Sequence, residues 1–175
     1  MSTSQPNSVN VGVIDATIQQ LKFQLYPDTS AMLPIEQITE AIELQGVQIT
    51  PIPQMPSWVM GVYNWRGDIL WMLDLGQLLG LDSWYQYQHH RLSHTAIVLS
   101  PNRQVKNENK IHLGLVVAGV EDLENCEPTA IQAATGLKIN PRLTSFLQGY
   151  WLKPSGEMVL ALDGQAIAAA MPTSH

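Results

Sequence analysis

The chain has 175 residues and a formal net charge of −6, and 45% of its residues are hydrophobic, which is enough for a buried core. Only 14% of the residues are charged, below the roughly 25% that is typical of soluble domains. An acidic chain without a basic stripe is a poor partner for nucleic acid. A surface with few charges costs less to desolvate, which favours contacts with other proteins.

The cysteine content and the start of the chain argue against further classes. Cys126 is the single cysteine, so the sequence offers neither a disulfide framework nor a paired-cysteine metal site. The first ten residues lack the basic and apolar regions of a signal peptide, and we expect residues 1–17 to form a flexible tail. The longest apolar run, Leu113–Val120, is too short to span a membrane. We therefore expect a cytoplasmic protein that is not itself inserted in a membrane.

Alternating apolar residues open the first half of the chain. Gln20–Tyr26 places leucine and phenylalanine on one face and polar residues on the other, which predicts a half-buried strand. Ala31–Ile35 and Gln37–Leu44 are predicted to be further strands. Helix propensity alone also allows a helix over Ile38–Glu43, but the hydrophobic spacing favours a strand, on which Ile38, Glu40 and Ile42 would share one face.

The central stretch Met55–Leu75 predicts two short strands, residues 59–63 and 69–73, joined by a tight turn that ends at Gly67. The second strand is apolar on both faces: Ile69, Trp71 and Leu73 on one side, Leu70 and Met72 on the other. The outer strand of a small barrel normally shows water a polar face. We therefore expect its outer face to be covered by the rest of the chain or by a partner.

The remaining elements follow from caps and turns. Asp74 is predicted to cap a short helix over Leu75–Leu79, and Asp163 to cap an alanine-rich helix over Gly164–Met171. The predicted strands of this half cover residues 94–100, 111–118, 120–126, 145–152 and 157–162, and the long polar segment 101–110 is expected to be a loop.

The two halves echo each other in sequence. Residues 61–74 resemble 149–163, residues 33–41 resemble 115–123, and residues 22–26 resemble 95–99, in the same order. Three ordered echoes predict two related units of about five strands, and five short strands close naturally into a small barrel. The predicted fold is mainly β, with two small five-stranded barrels packed together and a few short helices. We place the first barrel at residues 18–84 and the second at residues 85–175.

The central stretch also resembles a known family. Pro56-x-Trp58-Val59-x-Gly61-Val62-x-Asn64-x-Arg66-Gly67-x-Ile69-Leu70-x-x-x-Asp74-Leu75 is similar to the signature of the CheW family. These adaptor proteins link chemoreceptors to a CheA-type histidine kinase, and the resemblance covers residues 18–170. It implies SH3-like barrels and a role in taxis or motility signalling. Two positions depart from the pattern, because Trp65 replaces a usual aliphatic residue and Trp71 stands where proline is common.

The resemblance implies two protein partners. One is the CheW-like regulatory domain of a CheA-type histidine kinase, and the other is the cytoplasmic tip of a methyl-accepting receptor, which would recruit the protein to membrane receptor arrays. Residues at matching positions are expected to bind these partners: Ile38, Glu40, Gly61, Asn64, Trp65, Arg66, Thr95 and Ala96.

The residues themselves leave two alternatives open within this set. Trp65 could lie in an interface, where tryptophan is enriched, or pack in the core. Arg66 could present its guanidinium to a partner or pair inward with a carboxylate or with carbonyls of the turn. Trp71 is expected to belong to the core.

A search for catalytic and cofactor motifs leaves an expectation of no enzymatic activity, no cofactor and no metal. The sequence has no G-x-S-x-G elbow, P-loop or dinucleotide fingerprint. His89 and His90 are adjacent, so their side chains point apart and do not form a metal site with the four ligands that zinc prefers. Cys126 has no basic neighbour to activate it, and His112 is expected on a strand. The alternative to an adaptor is a β-barrel that binds a small molecule without signalling partners.

Overall fold

A computed structural model describes residues 16–45, 49–86, 93–100 and 111–172. In this part of the chain the strands are β1 Ile18–Leu25, β2 Thr29–Pro34, β3 Ile38–Gln45, β4 Val59–Trp65, β5 Asp68–Asp74, β6 Ser93–Leu99, β7 His112–Val117, β8 Gly119–Cys126, β9 Ile131–Gln132, β10 Leu147–Leu152 and β11 Met158–Leu162. The helices are α1 Leu75–Leu78, α2 Pro141–Thr144 and α3 Gly164–Ala169. Single turns of 3₁₀ helix cover Ile35–Gln37, Trp84–Gln86 and Pro128–Ala130.

The predicted elements agree with this structure to within a few residues. The stretch that propensity alone would allow as a helix is a strand, β3, and both capped helices are present. Two other predictions lie wholly or mostly outside the described residues: the tail over residues 1–17, of which only 16 and 17 are described, and the loop over residues 101–110.

The described strands form two sheets, and each sheet takes strands from both halves of the chain. One has six strands in the order β8-β1-β2-β11-β10-β9, and the other has five in the order β3-β6-β7-β5-β4. The pairs β2–β11 and β5–β7 are parallel, which brings strands from distant parts of the sequence together. A boundary between residues 84 and 85 therefore does not separate the two sheets, because β1 and β2 lie in one and β3, β4 and β5 in the other.

The sequence duplication is visible in the strand orders. The order of the smaller sheet becomes the order of the first five strands of the larger one when each strand is replaced by its counterpart: β3 by β8, β6 by β1, β7 by β2, β5 by β11 and β4 by β10. Strand β9 is additional to this match. The register corrects one echo. Leu21 pairs with Leu33 as Ile97 pairs with Leu115, so Leu21 corresponds to Ile97. The echo that matches Lys22 with Thr95 is therefore wrong by three residues.

The backbone pairing of the described residues leaves both sheets open. The edge strands are β8 and β9 in the larger sheet and β3 and β4 in the smaller one. Thr50 makes an isolated bridge with Val62 and so covers part of the outer edge of β4. The structure thus agrees with a mainly β fold of two sheets and short helices, and it does not establish the predicted SH3-like closure.

Alternation along the strands sorts the apolar side chains into three clusters. The central cluster takes side chains from both sheets, including Phe23 and Leu33 from the larger sheet and Leu73, Leu115 and Ile97 from the smaller one. An outer cluster of the smaller sheet contains Leu44, Met60, Leu70, Met72, Ala96, Val98 and Val116. An outer cluster of the larger sheet contains Met32, Cys126, Val159 and Ala161.

Both faces of strand β5 are apolar because each face packs against a different cluster. Leu70 and Met72 enter the outer cluster of the smaller sheet, whereas Leu73 lies in the central cluster and Trp71 packs half-buried against it. The rest of the chain therefore covers both faces, as expected, and Trp71 contacts the core. Ile69 at the start of the strand is the exception, with 63% of its surface exposed.

The equivalent caps of α1 and α3 differ in burial. Asp74 is buried; its Oδ1 accepts the Gln77 N–H at 3.2 Å, and its Oδ2 accepts the Ser83 hydroxyl at 2.9 Å and the Trp84 N–H at 2.8 Å. Burial raises the pKa of the Asp74 carboxyl, and these three donors act in the opposite direction. Asp163 is half-buried and accepts two N–H groups of α3.

The larger sheet holds a buried ammonium group where the smaller sheet is apolar. In the corrected register of the duplication, Lys22 is the residue equivalent to Val98. Lys22 is 8% exposed. Its Nζ pairs with Glu157 at 2.6 Å and with Glu121 at 2.9 Å. Burial alone would lower the pKa of Lys22, but the hydrogen bonds to Glu157 and Glu121 and the negative charges of these two groups together more than offset it and raise that pKa. The Glu157 pKa is lowered, chiefly by the hydrogen bond from Lys22 and then by that from Ser30.

We expect Asp74→Ala to lower the free energy of unfolding by about 2–4 kcal/mol, because it leaves three donors without their acceptor in a buried place. Asp163→Ala is the matched control, and its cost should be about 1 kcal/mol, that of an ordinary cap. Urea unfolding of both variants measures the difference. Equal costs would show that burial of the Asp74 carboxylate adds nothing to its role as a cap.

The ion pairs of Lys22 predict a dependence of stability on acid pH. A carboxyl whose pKa is lowered in the folded state stabilises the fold above its ordinary pKa, which is 4.5 for Glu157, and this contribution disappears as the pH falls through the folded value. Glu157→Gln should therefore flatten the fall in unfolding free energy between about pH 5 and pH 3. Glu36→Gln, at an exposed position, is the control and should change that slope less. Identical slopes for the wild type and Glu157→Gln would contradict the prediction.

Candidate protein-binding surface

The turn between β4 and β5 has a backbone conformation that residues other than glycine seldom adopt. Arg66 has a φ of 54° and Gly67 a φ of 85°, so two successive residues are left-handed, as in the tight turns that suit twisted hairpins. Asn64 Oδ1 accepts the Gly67 N–H at 3.1 Å and so fixes the turn. Arginine is uncommon in this conformation. Strain of this kind persists where surrounding contacts hold it in place, and it is frequent at functional sites.

The turn is held to the opposite edge of the smaller sheet by a carboxylate. Glu40 on β3 accepts the Trp65 indole N–H through Oε1 at 2.7 Å and the Arg66 guanidinium through Oε2 at 2.9 Å. Strands β3 and β4 are the two edges of this sheet, so the side chains bridge the edges where the described backbone pairing does not. We call Glu40, Trp65, Arg66 and His112 the hairpin cluster.

Trp65 lies in the middle of the hairpin cluster. The Arg66 guanidinium carbon is 5.3 Å from the centre of the Trp65 ring, within reach of a cation–π contact. The His112 ring lies 5.4 Å from the Trp65 ring, centre to centre, with an angle of 58° between the planes. Trp65 is half-buried and packs against the outer cluster of the smaller sheet. Trp65 therefore combines the two alternatives that the sequence left open, packing in the core and a place at the surface. Its ring packs inward, while its N–H donates a hydrogen bond to the carboxylate of Glu40.

Arg66 also combines the two alternatives that the sequence left open. It pairs inward with Glu40, yet its side chain keeps 68% of its surface exposed, against 27% for that of Glu40. Exposed ion pairs of this kind contribute little stability, about 0–1 kcal/mol. The described hydrogen bond uses one guanidinium nitrogen, Nη2.

A bulge in β3 separates Ile38 from Glu40. Ile38 pairs with Leu99 and Glu40 with Val98, so one extra residue lies between them on β3. Leu99 belongs to the central cluster and Val98 to the outer cluster of the smaller sheet. The expectation that Ile38 shares a face with Glu40 is therefore wrong: Ile38 packs against the central cluster, and Glu40 follows the face of Ile42.

Three of the other candidate residues lie where their surroundings indicate a role in the fold. Ala96 is fully buried in the outer cluster of the smaller sheet, and Thr95 is half-buried beside the β3 edge, opposite Glu43. Gly61 is buried with a φ of 140°, and a Cβ built there would overlap the Thr50 carbonyl oxygen. Its small size thus allows the Thr50–Val62 bridge. Asn64 is exposed and supports the turn.

The groups considered for chemistry do not assemble into a reactive centre in the part of the chain that the structure describes. Cys126 is buried, and its pKa is raised first by burial and then by the charges of Glu124 and Glu127, which disfavours the reactive thiolate. His112 packs against Trp65. His89 and His90 lie outside the described residues.

An open depression adjoins the hairpin cluster. It has a volume of about 390 Å³ and is lined by Thr50, Val62, Tyr63, Asn64, Gly67, Asp68 and Ile69. Ile69, with 63% of its surface exposed, is the most exposed large apolar side chain among the described residues. A single exposed apolar residue is ordinary on a protein surface, but Ile69 follows the turn that carries Arg66, and interfaces combine apolar side chains with a polar rim.

Sequence reasoning missed two members of this surface. His112 reaches Trp65 because β7 runs parallel to β5, and that pairing joins residues about forty positions apart, His112 and Leu70. The direct bond between Glu40 and Trp65 was also missed, because β3 and β4 are opposite edges of the sheet and no backbone pairing links them. Ile69 could have been recognised as an exposed apolar residue from the alternation in β5, because Ile69 is the end residue of a face whose other members, Trp71 and Leu73, pack inward.

The family assignment follows from a comparison with protein-family models. The model of the CheW-like domain matches residues 19–171. The chain belongs to the CheW-like domain family. The chain matches no curated protein.

A solved structure supports the same fold. The chain is similar to the scaffolding protein TtCheW from Thermoanaerobacter tengcongensis, with 21% identity and a TM-score of 0.66, over 84% of this chain and 89% of that one. At this level of identity the likeness concerns the fold alone.

The described helices include none that is long and apolar enough to cross a membrane.

The placement of Gly61 predicts that it serves the fold. Gly61→Ala should lower the free energy of unfolding by about 2 kcal/mol or more, because the added methyl group overlaps the Thr50 carbonyl and requires a rare φ. Gly67→Ala is the matched control: its φ is also positive, at 85°, but nothing lies within 4 Å of a Cβ there. Its cost should be about 1 kcal/mol, the conformational term alone. A loss of partner binding without loss of stability in Gly61→Ala would instead make Gly61 a contact residue.

Proposed function

We propose that this CheW-like protein is a non-catalytic adaptor that couples a methyl-accepting receptor to a CheA-type histidine kinase in a taxis or motility two-component system. Membership of the CheW-like domain family over residues 19–171 is the observation that carries the proposal. The similarity in fold to a scaffolding protein supports it. The protein works in the cytoplasm, without a cofactor, and is recruited to receptor arrays at the membrane.

The proposed mechanism is scaffolding by two faces. One face binds the CheW-like regulatory domain of the kinase, and the other binds the tip of the receptor's helical hairpin in an apolar contact. A protein that holds both partners raises the local concentration of the kinase at the receptor and fixes its orientation. Chemical steps are left to the kinase, so the adaptor needs no reactive groups of its own.

We assign the hairpin cluster to one of these two faces. Arg66 supports this assignment because it is both exposed and held in an uncommon backbone conformation. Arginine is enriched at the residues that dominate binding energies in interfaces. The adjoining depression with the exposed Ile69 supplies apolar surface beside the charge. Of the other expected contact residues, Asn64 acts through the turn, and Ile38, Gly61, Thr95 and Ala96 through the shape of the sheet.

The bridge between Glu40 and the hairpin also supports the expected barrel. It ties β3, one edge of the smaller sheet, to the end of β4 and the turn after it. Strand β4 is the other edge, and these two edges must meet if the smaller sheet closes. Both edge strands also send side chains, Leu44 and Met60, into the same outer cluster. We propose that each sheet is the wall of a small SH3-like barrel.

The alternative, a barrel that binds a small molecule, finds less support. Binding pockets for small molecules are mostly enclosed and apolar. The depression beside the hairpin is open, and its lining includes the exposed polar residues Thr50, Asn64 and Asp68. Such a shape suits contact with another surface better than the enclosure of a ligand.

The test measures binding of the purified protein to two probes from the same genome: the CheW-like regulatory domain of a CheA-type kinase and the cytoplasmic fragment of a methyl-accepting receptor. The wild type should bind both, and Arg66→Ala should weaken binding to at least one of them about tenfold or more. The Tm should stay within about 3 °C of the wild type, because the ion pair is exposed. Arg142→Ala, an exposed arginine on α2, is the matched control and should bind like the wild type.

The possible failures have separate meanings. If the wild type binds neither probe, the adaptor function is contradicted. If it binds and Arg66→Ala binds equally well, the function stands and the surface lies elsewhere. A Tm lowered by ten degrees or so, with binding of the folded fraction intact, would move Arg66 from the contact surface into the scaffold.

A further inference from the structure

Glu40 receives its two hydrogen bonds from donors with unequal freedom. The Arg66 side chain is 68% exposed and lies on a turn, so it can swing toward solvent. The Trp65 indole is half-buried, packed against the outer cluster of the smaller sheet and against the His112 ring. The two donors also use different oxygens, Oε1 for Trp65 and Oε2 for Arg66. One bond can therefore break while the other stays.

The partial burial of Glu40 makes this difference matter. Its side chain keeps 27% of its surface exposed, so water does not fully replace a lost partner. A half-buried carboxylate left without a donor carries a desolvation penalty that opposes the release of Arg66. A donor that stays in place reduces this penalty. The Trp65 N–H, at 2.7 Å from Oε1, is such a donor.

Arg66 has the chemistry to exchange one carboxylate for another. Its planar guanidinium carries five N–H groups and binds a carboxylate through two of them at once. The bond to Glu40 uses Nη2. A carboxylate on a bound protein that takes Arg66 in the two-pronged geometry would compete with Glu40 for the same group.

We propose that Trp65 is a positioning residue that keeps the Glu40 carboxylate hydrogen-bonded while Arg66 passes from Glu40 to a carboxylate of the protein partner. The inference rests on the proposed function, in which Arg66 contacts a partner. Trp65 itself touches Glu40 and acts on the partner through Arg66.

The test is a double-mutant cycle on partner binding. Trp65→Phe keeps an aromatic ring against His112 and Arg66 but removes the N–H, so Arg66 becomes the one donor of the pair left to Glu40. Binding of the probe that Arg66→Ala weakens should then fall about fivefold or more. In the Glu40→Ala background Arg66 has no carboxylate to leave, and Trp65→Phe should change binding by less than about twofold.

A second measurement is made on the wild type and uses the Trp65→Phe variant only to assign the signal. Hydrogen exchange of the Trp65 indole N–H, assigned by its absence from the spectrum of Trp65→Phe, should stay slow when the probe binds, because its bond to Glu40 persists. A faster exchange in the complex would show that Trp65 releases Glu40 together with Arg66, and the proposal would be overturned.

The outcomes separate this inference from the proposed function. If Arg66→Ala weakens binding and Trp65→Phe does not, the adaptor surface stands and the role of Trp65 is refuted. An equal loss from Trp65→Phe in both backgrounds would make Trp65 a structural residue and refute the role as well. If Arg66→Ala leaves binding of both probes unchanged, the surface assignment and the inference fail together, whereas the adaptor function is still supported by binding of the wild type.

Discussion

The two sheets pack against each other through the central apolar cluster, and the arrangement of the other elements follows from this packing. Strands of both sheets send alternate side chains into this cluster, among them Phe23, Leu73, Leu115 and Leu160. Because each sheet takes strands from both halves of the chain, neither half buries its apolar surface alone. The cost of ordering so many distant strands is offset by burial that becomes available when both sheets are complete.

The candidate binding surface is a consequence of that packing. The central cluster covers one face of the smaller sheet, whose edge strands are β3 and β4, and the bulge in β3 turns Glu40 toward the other face. The bridge to Trp65 and Arg66 then joins these edges at the surface. A contact made with Arg66 therefore acts on a group that also holds the sheet's edges together.

The two related sheets bury different kinds of side chain at an equivalent position. At the position where the smaller sheet buries Val98, the larger sheet buries Lys22 and neutralises it with Glu121 and Glu157. A buried ion pair adds less stability than apolar packing of similar volume, but it disfavours arrangements that leave a charge unpaired. The halves have thus diverged in their outer layers.

The sequence alone predicts ten of the eleven described strands, the helices capped by Asp74 and Asp163, the duplication and the family resemblance, because period-two alternation, caps and turn residues act over a few positions. It also placed Glu40, Trp65 and Arg66 in the candidate site. It does not predict β9 or α2. Which strands share a sheet is visible in the three-dimensional structure alone, because the parallel pairs β2–β11 and β5–β7 join residues far apart in the chain. The same long-range pairing brought His112 to Trp65 and Glu40 to both of its donors. A single extra residue in β3 then moved Ile38 to the opposite face, which no alternation pattern reveals because a bulge shifts the register without changing the composition.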